Sequence, residues 1–265
     1  MDSAAARPGS GDTVLEGLRF DGFDEREVVG HVLGELDRER GGWLVNPNID
    51  VMRQVTADPA IRELVSRADV VVADGVPLLW AARVQRRPLP GLVAGSDLIW
   101  SLTRGASARG VRVFLLGGAP GVAARAAQVL AEDTGRELAG SYCPPLGFER
   151  DPKQIEAIRA ALRAAEAQIV FCGLGFPKQE RLMDVLAPDF PATWFIGTGA
   201  SISFVAGDTP RAPQWLRGTG LEWAHRLASE PRRLFKRYVV LDLPYALSLS
   251  RRSLAVRRAP AVLDR

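Results

Sequence analysis

From residue 25 onward the chain alternates two apolar rhythms. Between Glu25 and Arg40, Val28, Val29, Val32, Leu33 and Leu36 recur at helical spacing, and Asp24 stands where an N-cap belongs, so this stretch predicts a helix. Short unbroken apolar runs follow, at Trp43 to Val45, Asp69 to Ala73, Val111 to Leu116, Gln168 to Cys172 and Thr193 to Ile196. Each ends in a turn signal and gives way to a helix-compatible segment. Continuous β-branched and aromatic runs suit strands buried on both faces. Their alternation with helices predicts an α/β protein built on a parallel sheet.

The pattern changes at Thr209-Pro210-Arg211-Ala212-Pro213, where two prolines open a basic region. The expected organisation is a disordered tail over residues 1–18, a core over 19–208, a basic helical appendage over 209–252 and a flexible tail over 253–265. The first residues are small and polar and lack the apolar centre of a signal peptide. The most apolar late stretch, Tyr238 to Leu249, falls short of the roughly 20 residues that a spanning helix needs. Asp242 and Pro244 also interrupt it.

Composition adds one asymmetry. The 265 residues are 47% apolar and 25% charged, as in an ordinary globular protein with one large domain. The net charge of +3 conceals a divided chain: residues 211–265 hold 12 basic against four acidic side chains, a net of +8, and residues 1–210 hold 22 against 27, a net of −5. A basic segment on an acidic body points to an anionic partner. In that segment Leu221, Trp223, Leu227, Leu234, Phe235 and Tyr238 interleave with Arg226, Arg232, Arg233, Lys236 and Arg237. Such a helix suits an anionic membrane interface better than a nucleic acid; a docked helix with a solvated charged face is the alternative. An exposed apolar face there would also favour homo-oligomers. The two cysteines, Cys143 and Cys172, imply no disulfide framework, so a reducing cytoplasm is expected. The two histidines, His31 and His225, fall on helical stretches and read as surface or packing residues.

Ligands of open parallel sheets bind at the carboxyl ends of the strands, so the turn signals are the candidate site. Asp74, in Ala73-Asp74-Gly75, directly follows an apolar run; it is placed either to accept a proton from an attacking hydroxyl or to cap the next helix. Gly117 and Gly118 open a helix whose N-terminus offers N–H groups to phosphate, though they complete neither a dinucleotide fingerprint nor a Walker loop. Gly173 and Gly175 lead to Pro177 and then to Lys178, Gln179 and Glu180, suited to phosphate and to base or sugar hydroxyls; a capped helix start fits the same residues. Gly197 and Gly199 repeat the ambiguity. Asn46 and Asn48, flanking Pro47, carry amides suited to sugar hydroxyls and equally common in turns. No Asp-x-Asp metal clamp and no local Ser/His/Asp or Cys/His set occurs. A leaving diphosphate would then be stabilised by cations and helix N-termini.

Taken in order, Asn46 to Asp50, Ala73 to Gly75, Val93 to Leu98, Phe114 to Gly118, Pro144 to Phe148, Gly173 to Glu180, Arg211 to Trp215, Gly220 to Arg226 and Glu230 to Arg233 resemble the WecG/TagA/CpsF family of bacterial glycosyltransferases. The resemblance runs from about residue 20 to 250. It implies a Rossmann-like core with a C-terminal appendage. The implied reaction is inverting, metal-independent transfer from a UDP-sugar to a polyprenyl-diphosphate-linked sugar at the inner face of the plasma membrane, with no cofactor. The family's candidate base falls on Asp74, its glutamine on Gln179, and its appendage arginines on Arg211, Arg226 and Arg233; Gly95 and Asp97 lie in the matching acceptor-side motif. Asn46 stands where the family usually has Thr, and Leu92 where it often has Arg, which bears on sugar specificity or on activity itself. The overall pattern is closest to a subgroup tied to exopolysaccharide assembly. Two other classes fit the same residues: a nicotinamide or methyl-donor enzyme on a similar fold, and a UDP-sugar-binding assembly protein without turnover.

Overall fold

A computed structural model describes residues 13–213, 216 and 222–258. The chain opens with an antiparallel hairpin, β1 (Thr13–Leu15) and β2 (Leu18–Phe20). Glu16 and Gly17, both at positive φ (54° and 79°), form its turn, the geometry that matches the twist of two-residue hairpins. This corrects the boundary expected at residue 18: the turn lets Leu15 and Leu18 both bury, so the ordered chain already includes Thr13. After α1 (Glu25–Leu36) come β3 (Gly42–Val45), α2 (Ile49–Ala57), α3 (Pro59–Ser66), β4 (Val70–Val71), α4 (Val76–Val84), α5 (Gly95–Arg109), β5 (Val113–Gly117), α6 (Val122–Thr134), β6 (Gly140–Tyr142), α7 (Pro152–Ala164), β7 (Ile169–Gly173), α8 (Lys178–Leu186), β8 (Trp194–Gly197) and α9 (Ser201–Val205).

Strands β3 to β8 form one parallel sheet in the order β4-β3-β8-β7-β5-β6. Alternate residues of each central strand enter different cores, as the strand's period of two requires. Val170 and Cys172 join the core under α2, α3, α4, α7 and α8, whereas Ile169 and Phe171 join the one under α1, α5, α6 and α9. The fold is therefore α/β and Rossmann-like, with a helical C-terminal part. Asp24 caps α1 in a reciprocal capping box with Glu27, both bonds 2.8 Å. His31, on α1, packs between the rings of Phe23 and Trp194. Strand β6, Gly-Ser-Tyr, carries no apolar run because it is an edge strand bonded on one side only.

The appendage continues from α10 (Glu222–Ser229) through α11 (Pro231–Phe235) and a π-helical stretch, Lys236–Asp242, into α12 (Leu243–Arg258). It docks on α2 and α4. Leu249 and Ser253 are fully buried there, and the Tyr245 hydroxyl reaches Thr56 Oγ1 at 2.7 Å and the Met52 carbonyl at 3.1 Å. Buried Asp242 pairs with Arg53 at 3.2 Å, and Arg53 and Arg237 both pair with Asp50. Burial, and then the neighbouring Asp50 charge, raise the Asp242 carboxyl above its ordinary range. Of the flexible tail expected over 253–265, residues 253–258 continue α12, where buried Ser253 accepts from Gln85 at 3.3 Å; residues 259–265 lie outside the described residues. Among the described residues no helix is long and apolar enough to cross a membrane.

Leu249→Ala is expected to lower unfolding stability by about 3 kcal/mol, a buried-leucine deletion with a residual cavity. Tyr245→Phe, which removes the Thr56 contact, is expected to lower it by about 1 kcal/mol. Urea titration of both variants measures how firmly α12 is held to the core.

Candidate active site

Neighbouring strands β3 and β8 send the chain to opposite faces, into α2 and α9, so their carboxyl ends form the kind of topological switch point where a crevice is expected. Asn46 spans it. With the amide oriented to satisfy both neighbours, Asn46 donates to the Gly197 carbonyl at 2.8 Å and accepts from the Gly95 N–H at 2.9 Å. A Cβ on Gly95 would lie 2.9 Å from the end of the Asn46 amide and 3.3 Å from Ser201 Oγ, so a larger residue there would push the bridging amide aside. Asn48 has a different task. Its Oδ1 accepts from the Asp50 and Val51 N–H groups, both at 3.1 Å, and caps α2.

Asp74 stands beside this bridge. Its own N–H bonds the Pro47 carbonyl at 2.9 Å, and the Ala73 carbonyl receives the Val93 N–H at 2.9 Å. Helix α4 is capped at Gly75 without any side-chain hydrogen bond, so the capping role weighed for Asp74 is not the one it plays. The carboxyl keeps some solvent access, yet protein surrounds it closely, and its pKa is pushed up to about 7. Burial is the largest cause; the charges of Glu222 and Asp97 add to it, while Arg226 and the Gly95 N–H pull the other way. Arg226 lies over the Phe204 ring at 5.2 Å, with its Nε buried and unbonded among the described residues. Arg211 pairs with Asp97 at 2.6 Å and donates to the Ser96 carbonyl at 3.1 Å. The side chain of Arg233 lies outside the described residues. Thus Asn46, Asp74, Gly95, Asp97, Arg211 and Arg226 form one cluster.

The glycine loops form the adjoining half of the sheet edge. Gly117 and Gly173 are register partners, and the Gly118 N–H bonds the Gly173 carbonyl at 3.0 Å. A Cβ on Gly117 would sit 2.6 Å from that carbonyl oxygen, so the residue lets two strand ends close on each other. Gln179 turns inward. Its Oε1 accepts from the Gly175 N–H at 3.3 Å and the Gly199 N–H at 3.2 Å, and its Nε2 donates to Glu180 Oε1 at 2.9 Å. Glu180 is buried, its Oε2 has no partner among the described residues, and burial lifts its carboxyl to about 7. Lys178 turns outward and pairs with Glu149 at 3.1 Å. The P-K-Q-E run therefore divides into an exposed cation and two interior groups that tie the β7 and β8 loops together. Sequence reasoning did not find Glu149, Phe204 or Glu222. None sits in a turn signal, and only tertiary proximity marks them. Among the described residues no three His, Cys, Asp or Glu side chains converge as a metal-ligand set.

An Asp74 carboxyl that keeps its proton to about pH 7 when folded, but releases it near 3.9 when unfolded, contributes stability below pH 4 that is lost as pH rises to about 7. Asp74→Asn removes that loss. Chemical denaturation above pH 7 is expected to find the variant at least as stable as the parent. Gln179→Ala strands two half-buried N–H groups and is expected to lose about 1 kcal/mol in the same assay.

The model of one protein family, described as the glycosyl transferase WecG/TagA/CpsF family, matches residues 13–259 of the 265. That span takes in the crevice, both glycine loops and the docked appendage. The chain belongs to the glycosyl transferase WecG/TagA/CpsF family.

Proposed function

We propose that this protein transfers a sugar, with inversion and without a metal ion, from a UDP-sugar to a polyprenyl-diphosphate-linked sugar during assembly of a cell-surface polysaccharide or exopolysaccharide. The observation that carries this reading is Asp74, a carboxyl at the crevice titrating at about 7 beside the cation of Arg226. A general base works best when its pKa lies near the operating pH. The acceptor hydroxyl gives its proton to Asp74 as its oxygen attacks the anomeric carbon. The anomeric carbon–oxygen bond breaks on the opposite side, its electron pair leaves with UDP, and a single displacement inverts the centre. Lys178 and the N-termini of α6 and α8, beside Gly117, Gly118, Gly173 and Gly175, face the donor diphosphate in this scheme. Gln179, Glu180, Gly197 and Gly199 shape that donor loop rather than touch phosphate. Asn46, Asn48 and Gly95 position Asp74, and Asp97, Arg211, Arg226 and Arg233 meet the acceptor's diphosphate.

The appendage supports attachment to the inner face of the plasma membrane, with the core in the cytoplasm. Leu243, Leu247 and Leu254 are exposed along α12, and Phe235, Val240 and Trp223 are exposed before it, among Arg232, Lys236 and Arg251. The same face would pair copies of the chain where no membrane covers it.

UDP release from a panel of UDP-sugars, with a prenyl-diphosphate-linked sugar acceptor, tests the reading. Release should require acceptor, survive EDTA and fall by at least about 100-fold in Asp74→Asn, the usual contribution of a general base. In the parent, kcat/KM should rise with pH and level off above about 7. A flat profile, or full activity in Asp74→Asn, would remove Asp74 from the role.

A further inference from the structure

A second cavity of about 720 Å³ lies away from the crevice, where the β1–β2 turn, the end of α4 and the last turns of α12 meet. Arg86, Arg87, Arg252 and Arg257 line it, with Glu16 as its one acid among the described residues. Glu16 is taken by Arg252, at 2.9 Å. Arg252 is further fixed by Ser248 and by the Tyr245 ring, 5.4 Å away, which leaves its buried Nη2 without a partner among the described residues. Arg86, Arg87 and Arg257 make no ion pair among the described residues.

Two helix C-termini, those of α4 and α12, also end here, and each carries about half a negative charge. Together they offset about one of the net three positive charges. A surplus of about two remains, in guanidinium groups whose planar forks match phosphate oxygens. The cavity's rim is apolar: Val14 and Val256 are 41% and 57% exposed, and Ala255 lies with them. Among the described residues no aromatic side chain lines the cavity to stack a nucleotide base. A free phosphate ion would leave the apolar rim in water, whereas a lipid covers rim and cations together.

We infer that this groove is a headgroup site for the phosphate of an anionic membrane lipid, built jointly by the core and α12. It rests on the membrane attachment proposed above and differs from it in placing two of the cations, Arg86 and Arg87, on the core. Helix α4 begins two residues after Asp74 and ends at the groove, so its nine residues span about 14 Å between them. A lipid held at one end therefore fixes how far Asp74 stands from the headgroups.

The test is co-sedimentation of the full chain with phosphatidylcholine vesicles, with and without phosphatidylglycerol. Arg86→Gln/Arg87→Gln is compared with Arg26→Gln/Arg38→Gln, which removes equal charge from α1 and the turn after it, on the opposite face of the sheet. The groove variant is expected to bind phosphatidylglycerol vesicles about 30-fold more weakly, or about 2 kcal/mol at about 1 per basic group. The α1 variant should bind as the parent does. Retained UDP binding shows that each variant is folded. If the parent ignores phosphatidylglycerol, the membrane reading and the groove fall together. If the parent responds to it but both double variants match the parent, or weaken alike, the groove alone falls. Displacement from vesicles by millimolar inorganic phosphate would overturn the lipid assignment in favour of a free-phosphate pocket.

Discussion

Where a parallel sheet ends, its strands diverge and their last N–H and C=O groups lose their ladder partners. Here two side-chain amides supply what the backbone cannot. Asn46 joins the end of β8 to the start of α5, and Gln179 joins the loops after β7 and β8. An amide donates from one atom and accepts at another, so each closes a gap that a carboxylate or an ammonium group would leave half-satisfied. The crevice floor, the spacing of the glycine loops and the placement of Asp74 all follow from these two bridges.

Burial alone does not set the electrostatics of the crevice. Two of the charges that act on Asp74, Glu222 and Arg226, belong to α10, and Asp97 is held by Arg211 from the segment leading to it. The titration of the core carboxyl, raised first by burial, is thus also adjusted by the docked appendage. The quartet of Asp50, Arg53, Arg237 and Asp242 works in the same direction. Its charges gain little net stability after desolvation, but they admit few alternative registers for the helix that carries them.

The central strands and α1 were legible in the sequence because burial on both faces leaves an unbroken apolar run, and because Asp24 and Glu27 declare a helix start. The β1–β2 hairpin was not, since its turn is Glu16-Gly17 instead of the usual Asn-Gly, and three-residue strands show no period. Much of the candidate site was legible as positions and little of it as tasks. Gln179 and Lys178 are adjacent letters that face opposite directions, and the tertiary fold alone decides which one is buried. Asn48 reads equally as a sugar ligand or a turn residue, and only the fold shows its Oδ1 engaged by the Asp50 and Val51 N–H groups.

Arg252 reaches Glu16 across 236 positions of chain. At ribosomal elongation rates this separation corresponds to roughly 10 to 50 seconds of synthesis. Through that interval the hairpin and the outer side of α4 exist without the helix that finally covers them. The apolar α4 surface therefore stays uncovered long after the core strands have been made.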